Sequence, residues 1–186
     1  MTAHKHTTVQ PQALKVEVKK ALLSDKIVIL NLIQLYMYTF STRSTLDSSD
    51  FCFNRVGQFD FPYPDDPSFD SYWTEKNYYP YLIYANKALA GFALITTIAA
   101  SGQPTDFFVQ EFFISAKYQH HGIGTHAALQ IFQNHPGKWE LTVVKDNDAA
   151  RAFWKQTLEN PAIKHFELFS GKNKQTPCDI FRFSIE

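Results

Sequence analysis

Cysteine is scarce in this sequence: Cys52 and Cys178 are the only two among 186 residues. Two thiols give neither a disulfide framework nor a metal-ligand cluster, and we expect both to be reduced and buried. Histidines crowd one stretch, at His120, His121 and His126, but no carboxylate or thiolate lies beside them at ligand spacing. The sequence therefore predicts no bound metal.

An excess of charge of one sign and a long hydrophobic run are also missing. The 18 basic and 18 acidic residues cancel, and without a basic stripe we expect no nucleic-acid partner. The longest apolar run, Ile27–Leu35, is interrupted by Asn31 and Gln34, so it is too short and too polar to span a bilayer. Residues 1–20 lack the apolar centre of a signal peptide. We expect a cytoplasmic protein that binds no membrane.

The composition that is present favours a folded core with β-structure. Hydrophobic residues make up 45% of the chain and charged residues 19%, which argues against disorder. Aromatic residues reach 16%, and they are enriched in strands. The length suits one domain over residues 1–186, with residues 1–12 as a loose polar tail.

Apolar periodicity predicts the first half of the fold. Alternation over Leu14–Val18 indicates a half-exposed strand, and Ser24 is placed to cap the helix that follows. Residues 51–80, rich in proline and aspartate, are irregular, and no element is assigned there. Two strands, Tyr81–Tyr84 and Leu89–Thr97, then flank a predicted hairpin turn.

The second half alternates strands with helices. The apolar stretch Phe107–Ser115 predicts a central strand that is buried on both faces. A helix, a strand and a helix from about Asp148 to Leu158 follow, and a last hairpin is predicted around Ser170–Asn173. This order of elements indicates an α/β protein in which helices pack on one sheet.

The segment Gln119–Gly124 carries the strongest functional signal. It joins the apolar strand to the next helix and contains two glycines, Gly122 and Gly124. Backbone N–H groups can converge in such a turn, and the helix N-terminus adds unpaired donors and a positive dipole end. A pyrophosphate fits this chemistry. The alternative is a tight turn that needs glycine for its conformation alone.

The sequence from Glu111 to Gly124 resembles the acetyl-CoA signature of the GNAT superfamily of N-acetyltransferases. That signature is a strand, a short loop and Q/R-x-x-G-x-G/A, which Gln119 and the two glycines match. His120 stands where many members have a further glycine, and Ala116 where many have proline. Neither departure removes a backbone donor.

A second resemblance lies downstream, in the strand Trp139–Val144 and the segment Asn147–Trp154. The latter is similar to the superfamily's N-x-x-A-x-x-F-[YW] helix. Together the two motifs cover residues 107–158. The resemblance implies a GNAT-type fold, a mixed and mostly antiparallel sheet flanked by helices.

The resemblance also implies how acetyl-CoA, the co-substrate, would be held. The main chain of Phe113 and Ile114 would pair with the pantetheine arm, and Asn147 would hydrogen-bond that arm from the opposite side. The pyrophosphate would lie on the loop and on the backbone N–H groups that follow it. The residues of this binding segment are Gln119, His120, His121, Gly122, Ile123, Gly124 and Thr125.

Two side chains are candidates for the catalytic chemistry. Glu111 is the candidate general base, because an amine must lose a proton before it attacks a thioester and a desolvated carboxylate can accept that proton. A structural ion-paired acid is the alternative.

Trp154 stands where many members have a tyrosine that protonates the departing thiolate. An indole cannot do so. The thiolate could leave unprotonated, be steadied by the indole N–H, or be served by another tyrosine, and Trp154 could instead only fill the core.

The predicted function is transfer of an acetyl group from acetyl-CoA to a primary amine by direct attack. The alternative is a non-catalytic acyl-CoA-binding module or sensor. A small-molecule amine and a peptide amine are both open as acceptors, and a homodimer is left open. Four acidic residues lie between positions 60 and 70: Asp60, Asp65, Asp66 and Asp70. They could attract a cationic acceptor, or they could form a solvated loop.

Overall fold

One sheet organises the computed structural model, which describes residues 14–48, 50–59, 67–99, 101–173 and 176–186. Within these ranges the sheet has seven strands: β1 (Val16–Lys20), β2 (Tyr78–Ala85), β3 (Ala88–Thr96), β4 (Phe107–Ile114), β5 (Gly137–Val144), β6 (Phe166–Asn173) and β7 (Thr176–Ile185). Four α-helices accompany it: α1 (Lys26–Ser41), α2 (Pro67–Thr74), α3 (Ile123–Gln133) and α4 (Asp148–Leu158).

The strand order is β1-β2-β3-β4-β5-β7-β6, so β4 is the central strand, as predicted. Neighbouring strands are antiparallel except β4 and β5, which run parallel. The result is the mixed, mostly antiparallel sheet flanked by helices that the sequence predicted. Burial of β4 is partial, since Glu111 and Phe112 are half exposed while Phe113 and Ile114 are buried.

Helices cover both faces of the sheet. On one face α1 buries Ile29 and Ile33 in a cluster with Phe92 and Phe113, and we call this side the α1 face. The other side is the α3–α4 face, where α3 buries the predicted stripe Ile123, Ala127 and Ile131. Apolar burial on both sides is the main stabilising contribution to such a layered fold.

The start of α1 differs from the prediction. Ser24 does not cap the helix, because it lies inside a short 3-10 turn, Leu23–Asp25, and Asp25 is the N-cap residue of α1. The Asp25 carboxylate accepts the backbone N–H of Leu22 at 2.8 Å. The carboxylate therefore fixes the entry of the chain into the turn, and the serine has no capping role.

The hairpin between β2 and β3 confirms the predicted turn. Asn86 and Lys87 form a two-residue connection with φ of 49° and 69°. Two successive left-handed residues are typical of the type I′ turn, whose twist matches that of the paired strands. Asn86 also accepts the N–H of Lys15 through Oδ1 at 2.9 Å, which ties the residue before β1 to the turn.

The last hairpin turns later than predicted. Residues 170–173 continue β6 and pair with β7 as far as Asn173↔Thr176, so the predicted turn Ser170–Asn173 is wrong. The glycine that suggested a turn serves packing instead. A Cβ at Gly171 would lie 2.4 Å from Cδ1 of Ile180, so glycine leaves room for this isoleucine in its present position.

Some sequence-based predictions concern residues outside the described ranges. The loose tail at residues 1–12 and the acidic residues Asp60, Asp65 and Asp66 lie there. The irregular stretch also contains α2, which the sequence did not reveal. Cys178 is buried, as expected, but Cys52 is exposed, because it lies in the loop after α1 and away from the core. Within the described part of the chain, no helix is long and apolar enough to cross a membrane.

An ionic cluster fixes the connection between β5 and α4. The buried carboxylate of Asp179, on β7, accepts hydrogen bonds from Lys145 Nζ and from Arg151 Nε, the latter at 2.6 Å. Arg151 also bonds Oδ1 of Asp148 at 2.7 Å and the carbonyl oxygen of Lys145. The hydrogen bond from Lys145 holds the pKa of Asp179 below its ordinary value.

We predict that this cluster makes the stability of the protein depend on acid pH. A lowered carboxyl pKa contributes stability that is present above the unfolded pKa, near ~3.9, and lost as the pH falls through the folded pKa. Asp179→Asn should lower the free energy of unfolding at pH 7 by about 1–2 kcal/mol, because charged hydrogen bonds are lost while solvent screens Lys145. Urea unfolding at pH 7 and pH 3 measures this. A mutant deficit equal at both values would contradict the prediction.

Candidate functional site

The sheet opens between β4 and β5. Their parallel pairing covers three residue pairs, from Phe107↔Trp139 to Val109↔Leu141. Beyond this point β4 stays with β3 as far as Ile114, and β5 stays with β7 as far as Val144. The register between β3 and β4 skips Gln110, which forms a β-bulge at the place where the strands part. Bulges bend a strand and increase its twist, so this one directs β4 away from β5.

Alternation along β4 decides which peptide groups face the opening. The N–H of Ser115 donates to the carbonyl oxygen of Ala90 at 2.8 Å, which identifies a hydrogen-bonded pair with β3. Phe113, two residues earlier, therefore also turns its peptide groups toward β3, and Phe112 and Ile114 turn theirs toward the opening. The sequence had assigned Phe113 and Ile114 to this edge. Of the two, Ile114 turns its peptide groups toward the opening, and Phe113 turns its own toward β3.

The loop after β4 is the segment for which the sequence predicts an anion site. Following the 3-10 turn Ala116–Tyr118, His120 and Gly122 both adopt left-handed backbone conformations, with φ of 62° and 73°. Gly122 is the N-cap residue of α3 and makes no side-chain cap. The first N–H groups of a helix have no partner within it, so those of Ile123, Gly124 and Thr125 are donors at a positive dipole end.

Side chains around the loop hold it in place. Gln119 donates from Nε2 to the carbonyl oxygen of Ile114 at 2.8 Å, which closes the loop onto the end of β4. Nδ1 of His126 lies 2.8 Å from the carbonyl oxygen of Gly122. Oγ1 of Thr125 lies 3.2 Å from Oγ1 of the buried Thr157 on α4, so Thr125 presents its backbone rather than its hydroxyl to a ligand.

The two glycines of the motif are required for different reasons: Gly124 for close packing and Gly122 for its backbone conformation. A Cβ at Gly124 would lie 2.9 Å from Cε2 of Phe153 and 3.5 Å from Cγ1 of Ile114. Gly124 therefore lets the start of α3 approach α4 and the end of β4. Gly122 has a left-handed φ and space beside it, since a Cβ there would come no nearer than 3.5 Å to the ring of His126. Glycine is therefore needed at position 122 for the left-handed backbone conformation and not for space.

The histidines of the loop do not assemble a metal site. His120 and His121 are exposed at the loop surface, and His126 is exposed on α3. Across the described ranges, no group of three or more His, Cys, Asp or Glu side chains is placed to hold a metal ion.

Asn147 lies at the β5 side of the opening. It is the N-cap residue of α4, and its Oδ1 accepts the N–H of Ala150 at 3.2 Å. The side chain therefore has a structural task that the sequence comparison did not reveal. Its amide also carries two N–H donors, which are the atoms suited to a ligand's carbonyl groups.

Trp154 packs beneath the opening on the α3–α4 face. It is 6% exposed, and its ring contacts Phe112 edge-on, with centroids 5.1 Å apart. Phe153 stacks on the same Phe112 at 5.7 Å. Both rings thus support the strand whose peptide groups face the opening. The structure places Trp154 in the core, and its Nε1 finds no acceptor among the described residues.

Glu111 occupies the opposite side of β4. It pairs with Leu94 across the strands, and residues paired in this way share a face. Leu94 belongs to the cluster on the α1 face, as does Phe113, two residues from Glu111 along the strand. The carboxylate is half-buried on this face. The two predicted catalytic residues therefore lie on opposite faces of the sheet.

A groove on the α1 face is a feature that sequence reasoning missed. The cavity has a volume of about 550 Å³ and lies between the end of α1, the loop after it and the ends of β5 and β7. We call it the α1 groove, lined by Phe40, Arg43, Ser44, Thr45, Ser48, Asp50, Phe51, Val144, Asp146 and Thr176. Residues from distant segments meet there, so no local pattern in the sequence could have shown it.

Aromatic rings connect the groove to β4. Tyr36 contacts Phe113 with ring centroids 5.7 Å apart, and it meets Phe40 edge-on at 4.7 Å. Phe40 in turn stacks on Phe51 at 6.2 Å. From the other side, Asp146 directly precedes Asn147 at the β5 edge of the opening. The groove is therefore connected to β4 through packed rings and to the β5 edge of the opening through adjacent residues.

Several solved structures have this fold over nearly the whole chain. A PaiA N-acetyltransferase from Thermoplasma acidophilum, in complex with coenzyme A, is 14% identical, with a TM-score of 0.55 over 91% of this chain and 99% of that one. The ribosomal-protein-S18-alanine N-acetyltransferase from Escherichia coli is 12% identical, with a TM-score of 0.54 over 92% and 95%. A GNAT-family acetyltransferase from Staphylococcus aureus Mu50 is 12% identical, with a TM-score of 0.57 over 92% and 100%. No curated protein matches the chain in sequence.

These similarities show the fold, which this chain shares with solved N-acetyltransferases. The model of the Acetyltransferase (GNAT) family matches residues 45–158, more than half of the chain. The protein belongs to this family. The match includes both motifs identified in the sequence, and it confirms the family that they indicated.

We predict that the conformation of the glycine loop controls CoA affinity. Gly122→Val leaves the packing intact but forces a β-branched residue into a left-handed conformation, which costs roughly 1–2 kcal/mol and redirects the N–H groups behind it. Calorimetry should show CoA binding weakened by about tenfold or more.

The matched control is His120→Gly, which places glycine at the other left-handed position and keeps the backbone donor. Its CoA affinity should stay within about threefold of wild type, because relief of strain and the added freedom of the unfolded chain oppose each other. Equal affinities of the two variants would show that the loop does not bind the ligand.

Proposed function

We propose that the protein transfers an acetyl group from acetyl-CoA to a primary amine by direct attack of the amine on the thioester. The observation that carries the proposal is the arrangement around β4. A glycine loop and an unpaired strand edge lie on one side of the opening, and a carboxylate lies on the face that carries a groove for a second substrate. Acetyl-CoA supplies the acetyl group as a thioester.

The residues beside the opening fit CoA. Backbone N–H groups from Gly122 to Thr125 suit the pyrophosphate, because anions bind where helix donors and the helix dipole act together. Lys117 adds a positive side chain beside the loop. The peptide groups of Phe112 and Ile114 are suited to pair with the amides of the pantetheine arm, as an added strand would. Asn147, which follows β5 as the N-cap residue of α4, would face that arm from the other side of the opening.

Glu111 is proposed to take the proton of the acceptor. An amine is protonated at neutral pH and cannot attack until it loses a proton, so a carboxylate on the acceptor's side of the sheet is needed. Glu111 lies on the α1 face, where the α1 groove also lies, and it follows the bulge at the start of the opening. Proton removal is thus possible directly or through water.

The departing thiolate is proposed to leave without a tyrosine acid. A thiol pKa near ~8.5 makes the thiolate a fair leaving group at neutral pH. Trp154 lies on the α3–α4 face below Phe112 and contributes a ring that shapes the opening. Its N–H can donate a hydrogen bond but does not ionise.

A non-catalytic acyl-CoA-binding module is the second candidate function. One observation favours it: a buried tryptophan replaces the usual acid. Release of free thiol from acetyl-CoA with a panel of amines discriminates between the two functions, since a module that only binds releases none.

We predict that Glu111→Gln slows acetyl transfer by about 10²–10⁴-fold at neutral pH, since general base catalysis contributes this much, while CoA affinity changes little. The rate of the mutant should rise with pH as the free amine becomes abundant. Glu167→Gln, an exposed position on β6, serves as the control and should match wild type. A Glu111→Gln profile that parallels wild type at every pH would exclude the carboxylate as base.

We predict that Trp154→Phe lowers the rate modestly and that Trp154→Tyr remains active, because no proton is required from this position. Truncating a packed aromatic ring costs stability, so thermal unfolding is measured beside steady-state rates. Complete loss of turnover in a folded, CoA-binding Trp154→Phe variant would mean that the indole N–H is essential.

A further inference from the structure

The charges of the α1 groove do not neutralise one another. Arg43 is the cation among its lining residues, and Asp50 and Asp146 are the acids. In the part of the chain that the structure describes, none of these three makes an ion pair. A groove with separated charges of both signs complements a ligand that also carries both signs.

The guanidinium of Arg43 is held in place by an aromatic ring. Its central carbon lies 4.6 Å from the ring centroid of Phe40, a cation–π contact that orders a side chain otherwise exposed to solvent. A planar guanidinium in a fixed position can bind a carboxylate with two parallel hydrogen bonds.

The position of Arg43 suits the far end of an acceptor rather than its reacting amine. Contacts of 5.7, 4.7 and 4.6 Å lead from Phe113 through Tyr36 and Phe40 to the guanidinium. Asp146 lies on the opposite wall, one residue before Asn147 at the opening. An ammonium group drawn toward this wall would sit near the opening while a carboxylate rests on Arg43.

We infer that the acceptor is a small amine that also carries a carboxylate, such as an amino acid. This inference rests on the proposed acetyl transfer and specifies its substrate. Phe40 and Phe51 provide an apolar wall for the carbon skeleton between the two charged ends. Arg43 opposes a second ammonium group placed beside it, because the two cations repel, whereas a carboxylate at the same place would pair with the guanidinium.

The test compares matched acceptors that differ by a carboxylate remote from the reacting amine: L-lysine with cadaverine, and 6-aminohexanoate with pentylamine. Thiol release from acetyl-CoA gives kcat/KM for each. Wild type should prefer the carboxylate-bearing member of each pair by about tenfold, the effect of one bidentate charged contact at a partly exposed site.

Variants assign this preference to Arg43. Arg43→Gln should abolish it mainly by raising KM for the amino acids, with turnover of pentylamine retained, and Arg43→Lys should keep part of it. Arg55→Gln, another exposed arginine but outside the groove, is the matched control and should behave as wild type.

Each other outcome overturns the inference in a recognisable way. Equal rates for both members of each pair, or a preference that survives in Arg43→Gln, would refute the carboxylate contact and leave acetyl transfer to amines standing. If the protein binds CoA but releases no thiol with any amine, both the inference and the proposed acetyl transfer are refuted.

Discussion

The short parallel contact between β4 and β5 is the constraint on which the site depends. Backbone N–H and C=O groups away from water need partners, and a strand in the centre of a sheet normally finds them on both sides. Here β4 has a partner on both sides for three residue pairs, and then only β3 continues. The edge that faces the opening can be completed by the amides of a substrate. The bulge at Gln110 is what turns an ordinary central strand into this half-paired one.

Polar clusters keep the opening from closing or spreading. Glu140 on β5 is fully buried and accepts Arg182 Nε at 2.9 Å and the hydroxyl of Ser101 at 2.6 Å, so the loop after β3 is tied to β5 and β7. The cluster around Asp179 does the same for the segment that ends at Asn147. Buried ionic groups of this kind are costly unless every partner is in place, so they favour one arrangement of the strands.

Local patterns in the sequence correctly predicted the elements whose formation depends on neighbouring residues. Alternation and turn residues placed the β2–β3 hairpin and the central strand, and helical spacing gave the buried stripe of α3. Gly171 misled the prediction, because a glycine that admits Ile180 in a strand looks the same in sequence as one in a turn. His120 illustrates the reverse case. It adopts a left-handed conformation, although single-residue preferences favour glycine there.

Features that arise from tertiary packing could not be predicted in the same way. Whether Phe112 or Phe113 faces the opening depends on the hydrogen-bonding phase with β3, which one contact from Ser115 sets. The α1 groove joins residues 40–51 to residues 144–146 and 176, and the sequence contains no signal that these segments meet. The sequence left open an attraction of a cationic acceptor to the acidic residues between 60 and 70, and the groove presents Arg43 as well as Asp50 and Asp146.

On the proposed function, the placement of the two candidate residues lets a tryptophan stand at position 154 without a tyrosine acid. On the proposed assignment, β4 separates the reaction into two halves. Proton removal from the amine occurs on the α1 face, where Glu111 and the groove lie, and thiolate departure occurs toward the α3–α4 face, where Trp154 packs under Phe112. The amine must lose its proton for any attack to occur, whereas a thiolate is stable enough to leave as an anion. A loss of acid function on the second face therefore leaves the demanding proton transfer untouched, and the larger indole ring gains contact with the strand that must hold the substrate.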